Sequence, residues 1–138
     1  MEKSKKAGPA GKTILIVDDE FGVLEVLEFI LSDAGFNVVS ALNGQEAVAL
    51  LKENRPDLAI VDFMMPILDG NGVIKAIRAD KRLRKIPIIL ASALPEKTIR
   101  ERCDGYTTFL RKPYRTEQLM EEMSKLLDHS GGKPRARK

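Results

Sequence analysis

The chain has 138 residues, of which 43% are hydrophobic and 31% charged, a size and mixture typical of one compact domain rather than two. Its single cysteine, Cys103, excludes an internal disulfide and suits a reducing cytoplasm rather than a secreted scaffold. The net charge of +3 comes from the ends, because residues 1–12 and 129–138 hold eight of the 23 basic residues and one of the 20 acidic ones. The body is therefore acidic, which argues against nucleic-acid binding by the core.

Five short apolar runs are predicted to form β-strands. The first, third and fourth are apolar at consecutive positions, a pattern typical of parallel strands covered by helices on both faces. The runs are T-I-L-I-V (13–17), F-N-V-V-S (36–40), D-L-A-I-V (57–61), P-I-I-L-A (87–91) and T-F-L-R (108–111).

Between these runs lie segments whose apolar residues recur every three or four positions, which predicts helices. Gly35 stands where a left-handed residue would end the first helix, and Pro95 is suited to the first turn of the fourth. The predicted helices span 20–34, 44–54, 71–80, 95–103 and 115–127.

Five alternating βα units in one small domain predict an α/β fold, a flavodoxin-like, doubly wound (βα)5 with a parallel sheet in the order 2-1-3-4-5 and helices on both faces. In such sheets ligands bind beyond the carboxyl ends of the strands, where the strand order reverses. The expected site therefore lies between the first and third strands.

Acidic residues follow both of those strands. Asp18, Asp19 and Glu20 come after the first strand, and Asp62 comes after the third. Carboxylates brought together without compensation repel one another and cost stability, and a divalent cation removes the conflict. Oxygen ligands in a partly open site favour Mg²⁺, with Mn²⁺ as the alternative ion.

A hydroxyl and a cation are expected at the same edge, because Ser92 follows the fourth strand and Lys112 follows the fifth. Any one of these residues alone would be interpreted as a turn, a helix cap or a surface charge. Together, a metal-binding acidic group, a carboxylate, a hydroxyl and a lysine match the requirements of phosphoryl transfer.

The site residues lie in motifs that are similar to those of a known protein family. The chain resembles the receiver domain of two-component response regulators, in the short chemotaxis-type form without an output domain. The match covers about residues 12–128 and rests on four motifs: I-L-I-V-D-D-E, D-F-M-M-P-I-L-D-G, I-I-L-A-S-A and F-L-R-K-P.

The resemblance implies a role for each site residue. Asp62 would be the phosphoacceptor, attacking a phosphohistidine on a histidine kinase or a histidine phosphotransfer protein. Asp19 and Asp62 would bind Mg²⁺ directly, the backbone carbonyl of Met64 would be a further ligand, and Asp18 would act directly or through water. Lys112 would pair with Asp62, and the Lys112-Pro113 peptide would be cis.

The resemblance also implies a switch. Ser92 would donate to a phosphoryl oxygen and draw the following loop inward, and Phe109, three residues before the lysine, would turn into the space that opens. The surface formed by the fourth helix, fifth strand and fifth helix would then control a downstream protein target. Phenylalanine has no hydroxyl, so a rotation of Phe109 can change packing contacts but cannot form a phenolic hydrogen bond.

The resulting hypothesis is a single-domain response regulator, which is not an enzyme beyond its own phosphorylation and dephosphorylation. It comprises a flexible basic tail over 1–12, a receiver domain over 13–128 and a second flexible basic tail over 129–138. No apolar stretch predicts membrane insertion or secretion, so the expected location is cytoplasmic.

Three alternatives compete with this hypothesis. A magnesium-dependent aspartyl phosphatase would need a second acid where Met64 stands, and a flavodoxin-like cofactor binder would need a phosphate-binding loop in place of Asp18-Asp19-Glu20. The third alternative is an amino-terminal receiver domain cut from a larger DNA-binding or enzymatic regulator, which the sequence leaves open.

Overall fold

The computed structural model describes residues 11–128, in which five strands and five helices alternate strictly along the chain. The expected tails lie outside these residues, apart from Gly11 and Lys12. Gly11 N donates to Gly35 O, and Asn37 N donates to Lys12 O, so both residues are attached to the domain. The elements are β1 (Thr13–Val17), α1 (Phe21–Asp33), β2 (Asn37–Ala41), α2 (Gly44–Leu50), β3 (Leu58–Asp62), α3 (Gly70–Ala79), β4 (Ile88–Ser92), α4 (Glu96–Arg100), β5 (Thr108–Arg111) and α5 (Thr116–Asp128).

All five strands pair in parallel in the order β2-β1-β3-β4-β5, which confirms the predicted doubly wound sheet. The register aligns Val17 with Val61, and Asp62 with Ala91. Ser92 is in turn aligned with Arg111. The carboxyl ends of β1, β3, β4 and β5 therefore meet at one edge of the sheet.

Two apolar layers cover the sheet, one on each face. Along β1, Leu15 and Val17 pack towards α2 and α3, whereas Ile14 and Ile16 pack towards α1 and α5. Successive side chains of a strand point to opposite faces, so a strand buried on both faces must be apolar throughout. This explains the uninterrupted apolar runs of β1, β3 and β4.

The helix termini follow local chemistry. Gly35 has a φ of 102°, and Phe36 N donates to Leu31 O, which ends α1 in the left-handed conformation that glycine adopts without strain. At the start of α2, the Asn43 side chain accepts from Glu46 N, and the Glu46 side chain accepts from Leu42 N. Unpaired amide groups of the first turn are thereby satisfied.

Two helices are shorter than the sequence pattern indicates. Helix α2 ends at Leu50 rather than at residue 54, and the Asn54 side chain donates to the Leu50 carbonyl. Helix α4 ends at Arg100 rather than at residue 103, because its continuation tightens into bonds from Glu101 N to Thr98 O and from Arg102 N to Ile99 O. Such three-residue turns redirect the chain towards the next strand.

None of the helices within residues 11–128 is long and apolar enough to cross a membrane.

Gly70 lets α3 approach the end of β3. A Cβ atom at this position would lie 2.8 Å from Phe63 Cα and 2.9 Å from Asp62 O, both of which are backbone atoms. The close approach also permits a 2.8 Å hydrogen bond from Gly70 N to Phe63 O. The residue thus fixes α3 against the strand that carries Asp62.

We predict that Gly70→Ala lowers the free energy of unfolding by about 1–3 kcal/mol, because the added methyl group must displace backbone atoms. Urea unfolding followed by circular dichroism measures this change. Gly22→Ala is the matched control, since nothing lies within 4 Å of a Cβ at Gly22 and alanine favours the helix. Equal stability changes in the two variants would contradict the packing argument.

Candidate functional site

Three carboxylates converge where β1 and β3 end. Asp18 and Asp19 follow β1, and Asp62 is the last residue of β3, its neighbour in the sheet. One ligand oxygen from each residue can be chosen so that all lie within 4.8 Å of one another. Asp18 and Asp62 are 5% and 7% exposed, whereas Asp19 is exposed. The predicted acidic cluster is therefore present, with two members buried and one open to solvent.

Asp18 also shapes the backbone that follows β1. Its Oδ1 accepts from Glu20 N at 3.0 Å, a turn that leads directly into α1, and its own N–H donates to Ala41 O. Asp18 can therefore stabilise this turn through Oδ1 while its Oδ2 remains available to the site.

Lys112 lies between two of these carboxylates. Its Nζ is 2.9 Å from Asp18 Oδ2 and 3.1 Å from Asp62 Oδ1. Its backbone N–H donates to Ser92 O, and the Lys112-Pro113 peptide is cis, as the resemblance implied. The expected contact with Asp62 is present. The contact with Asp18 was missed, because strand order places residues at one edge but does not determine which oxygen a long side chain reaches.

The electrostatics of the site favour a further cation. Burial raises the pKa of Asp62 to about 6, with repulsion by Asp18 and Asp19 adding to the effect and Lys112 opposing it. Burial opposes the charge on Lys112, but its hydrogen bond to Asp18 and its attraction to both carboxylates raise its pKa above the ordinary value. Lys112 thus pairs with two of the three clustered carboxylates. Their clustered oxygens fit the preference of a hard divalent ion such as Mg²⁺.

Ser92 is the last residue of β4 and is almost fully buried. Its Oγ accepts a 3.0 Å hydrogen bond from Leu94 N, which connects the hydroxyl to the loop between β4 and α4. That loop has a second attachment, because Arg111 Nε donates to Ala93 O at 2.6 Å. Sequence reasoning missed the Arg111 contact, since an exposed arginine before the lysine carried no pattern of its own.

Phe109 and Met64 occupy different environments. Phe109 is partly buried on β5 and packs against the core, with its ring centroid 6.4 Å from that of Tyr106. The Met64 side chain, in the loop after β3, is 57% exposed. The roles predicted for these two residues stay predictions, since both depend on a phosphorylated or metal-bound state.

A groove of about 550 Å³ adjoins the acidic cluster on its α1 side. Its lining includes Val23, Val26, Lys112, Pro113 and Tyr114. Next to it, α1 exposes three large apolar side chains, with Phe21 62%, Val26 57% and Phe29 74% exposed. Isolated apolar residues are ordinary on a surface, but a group on one helix beside a polar cleft indicates a contact surface.

The raised pKa of Asp62 predicts a pH dependence of stability in metal-free buffer. The folded chain holds the Asp62 proton to about pH 6, but the unfolded chain releases it near 3.8, so stability falls as pH rises between those values. Asp62→Asn should remove this fall and make the protein more stable at pH 7, by up to about 3 kcal/mol. Urea unfolding from pH 4 to 7 in EDTA tests this expectation, and parallel pH profiles for the two proteins would contradict it.

Comparison with known proteins gives a consistent result. Residues 14–124 match the family model described as the response regulator receiver domain. The chain is 34% identical over 118 residues to the probable transcriptional regulator ycf27 of Porphyridium aerugineum, a match that covers 83% of this chain and 47% of the relative. The chain thus spans about half the length of the curated relatives that it matches.

Solved structures extend the comparison to the fold. The signal receiver domain of a histidine kinase from Syntrophus aciditrophicus has a TM-score of 0.79 and 35% identity, covering 86% of this chain and 92% of that one. The receiver domain of sensor histidine kinase PA1611 from Pseudomonas aeruginosa, with a magnesium ion coordinated in its active-site cleft, has a TM-score of 0.79 and 30% identity, covering 86% and 99%. This chain belongs to the response regulator receiver domain family.

Proposed function

We propose that this chain is a phosphorylation-controlled signalling switch in which Asp62 accepts a phosphoryl group from a phosphohistidine on a histidine kinase or a histidine phosphotransfer protein. The observation that carries the proposal is the placement of the Asp62 carboxylate at a strand end, beside Asp18 and Asp19 and in contact with Lys112. Family membership supports the same role. We also propose a cytoplasmic location.

The donor set supports Mg²⁺ as the cofactor, with Mn²⁺ as an alternative of the same coordination chemistry. Asp19 and Asp62 would hold the ion directly, the Met64 backbone carbonyl would be a further ligand, and Asp18 would act directly or through water. The magnesium in the cleft of the PA1611 receiver domain supports this assignment. When bound, Mg²⁺ supplies positive charge that offsets the carboxylates and the phosphoryl oxygens.

The chemistry assigned to the chain's own residues is limited to attack and positioning. A carboxylate oxygen of Asp62 forms a bond to phosphorus, the bond from phosphorus to the imidazole nitrogen breaks, and that nitrogen keeps the electron pair and takes up a proton. At pH 7 most Asp62 is ionised, since its pKa is about 6. Lys112 then pairs with a phosphoryl oxygen, and Ser92 donates to another.

The readout would be a change of surface rather than catalysis on a separate substrate. Movement of the Ser92 hydroxyl pulls on Leu94, whose amide it binds, and so on the loop before α4. Phe109 turns into the space that opens, which changes the surface formed by α4, β5 and α5 for a downstream protein target. Because Phe109 has no hydroxyl, this change is one of packing.

The same chemistry would serve a second candidate function, the receiver domain of a longer regulator. The length of the transcriptional regulators that the chain matches favours this candidate, since their matched parts are about half of each protein. The mass of the protein in extracts of its native cell distinguishes the two: a species near 15.4 kDa supports the single-domain regulator, and a larger species supports the receiver of a longer one.

We predict that a radiolabelled small phosphodonor such as acetyl phosphate labels the wild-type chain only with Mg²⁺, and that Asp62→Asn abolishes the label because it removes the carboxylate proposed to attack phosphorus. Asp80→Asn, at a partly exposed carboxylate that follows α3 and pairs with Arg82, is the control and should label normally. Label that resists hydroxylamine, which cleaves acyl phosphates, or label that needs neither Asp62 nor metal, would contradict the proposal.

The groove beside α1 is the proposed docking surface for the phosphodonor protein. The donor must bring its phosphohistidine within bonding distance of Asp62, and Lys112 belongs both to the cleft and to the groove. The exposed Val26 and Phe29 continue the apolar surface outward from that point. A helical partner with an apolar face would fit this arrangement.

We predict that Val26→Glu slows phosphotransfer from a histidine phosphotransfer protein by at least about tenfold, because it places a charge in an apolar contact. Labelling by acetyl phosphate should stay within about twofold of wild type, since the small donor needs no docking. Ala49→Glu, on the exposed side of α2 across the sheet, is the control. An equal effect of Val26→Glu on both donors would place the defect in the cleft and contradict the docking role.

A further inference from the structure

The segment Ser92–Glu96, which joins β4 to α4, is held from the β5 side by two side-chain hydrogen bonds. Arg111 Nε, at the end of β5, donates to Ala93 O at 2.6 Å. The Tyr106 hydroxyl, from the approach to β5, donates to Glu96 Oε2 at 2.9 Å. Glu96 is the first residue of α4, so the two bonds hold the loop and the start of the helix that follows it.

Tyr106 is well placed to anchor this segment. Its side chain is 3% exposed, and its ring packs beside that of Phe109. The backbone before it is fixed as well, because the Gly105 carbonyl accepts from Arg78 Nε at 2.9 Å and from Arg78 Nη2 at 2.7 Å. The Tyr106 end of the bond therefore belongs to the core, and the Glu96 end belongs to the first turn of α4.

The Tyr106 hydroxyl remains a hydrogen-bond donor because it keeps its proton. Burial raises the pKa of its hydroxyl to about 12, and the hydrogen bond to Glu96 acts in the same direction. The hydroxyl therefore keeps its proton throughout the neutral range. Phe109 cannot form such a bond, and the chain's other tyrosine, Tyr114, packs on the opposite layer with α1 and α5.

We propose that Tyr106 and Arg111 are positioning residues that latch the Ser92–Glu96 segment in its resting conformation and so set how readily Ser92 engages a phosphoryl group. This inference rests on the proposed function. Ser92 Oγ is bound to Leu94 N, so a displacement of the hydroxyl carries the loop with it. That displacement draws Ala93 O away from Arg111 and Glu96 away from Tyr106, so the two latch bonds oppose it.

The consequence is a shifted equilibrium when a latch bond is removed. In the engaged state, the Ser92 hydroxyl binds a phosphoryl oxygen. A hydrogen bond that is present in the resting state and absent in the engaged state favours the resting state by the full free energy of that bond. This free energy is larger than that of a bond between neutral groups when the acceptor is a carboxylate. Loss of the bond should therefore raise the engaged fraction and tighten binding of any ligand that selects it.

The test uses the full chain with Mg²⁺ and beryllofluoride, an analogue of the phosphoryl group, and follows the backbone amide signals of Leu94 and Ile99 by NMR. Tyr106→Phe, which keeps the ring, and Arg111→Met should each lower the beryllofluoride concentration at half-saturation about five- to tenfold. Their amide signals without ligand should move towards the liganded positions.

The variant Thr107→Val distinguishes a latch bond from a hydrogen bond that only stabilises the fold. Thr107 Oγ1 accepts from Ile88 N at 3.0 Å, at the opposite end of the β4 and β5 pair, so its loss should lower the melting temperature without altering half-saturation. If Tyr106→Phe and Arg111→Met behave like Thr107→Val, the latch is overturned and the proposed function stands. If Tyr106→Phe does not fold, the exposed Arg111→Met alone decides the outcome.

A wild-type chain that gives no response to beryllofluoride with Mg²⁺, or an Asp62→Asn variant that gives the same response as wild type, would overturn the proposed function and the latch together. A wild-type response that requires Asp62 and that neither latch variant alters would overturn the latch alone.

Discussion

The ion pair network of Lys112 with Asp18 and Asp62 is the interaction on which the rest of this site depends. Two carboxylates are nearly buried at the edge of a parallel sheet, and one ammonium group lies about 3 Å from both. Without that lysine the two charges would be unpaired in a medium that stabilises them poorly. With it the site remains negative, because Asp19 is adjacent, and the surplus makes a divalent cation favourable. The clustered carboxylates that lower the stability of the fold therefore also form the candidate cation site.

This arrangement exchanges stability for reactivity. A carboxylate whose pKa is raised by burial is less stable when ionised, yet the attack on phosphorus proposed for Asp62 requires the ionised form. The packing around Asp62 offsets this loss of stability. β1 and β3 are apolar on both faces, and Gly70 allows α3 to pack directly against the end of β3. A rigid sheet thus holds a strained group in place at its edge.

The neighbouring loop is built differently from the sheet. Its side-chain hydrogen bonds include one that Ser92 Oγ accepts and one that each of Arg111 and Tyr106 donates, and α4 has only five residues. Such a bond contributes about 1 kcal/mol between neutral groups and about 1.5–3 kcal/mol with a charged group, less than the packing of the strands, so a local charge change can rearrange this segment without unfolding the domain. The proximity of the site to this loop is the physical basis for the switch that we propose.

The sequence alone determined the strand order and the residues at the carboxyl edge. Uninterrupted apolar runs require cover on both faces, and parallel strands bring Asp18, Asp62, Ser92 and Lys112 to one side. Periodicity also located all five helices, although α2 and α4 end early, where Asn54 binds the Leu50 carbonyl and where the chain turns towards β5. These local bonds compete with helix formation in ways that apolar spacing does not register.

Only the tertiary structure decided how the side chains meet across the edge. The bond from Lys112 to Asp18 spans 94 residues, and the contacts of Arg111 with Ala93 and of Tyr106 with Glu96 span 18 and 10 residues. Strand order fixes positions to within a few ångströms, whereas a hydrogen bond requires placement within tenths of an ångström. That placement depends on the packing of the whole core, so the acidic site could be read from the sequence but the bonds that hold its loop could not.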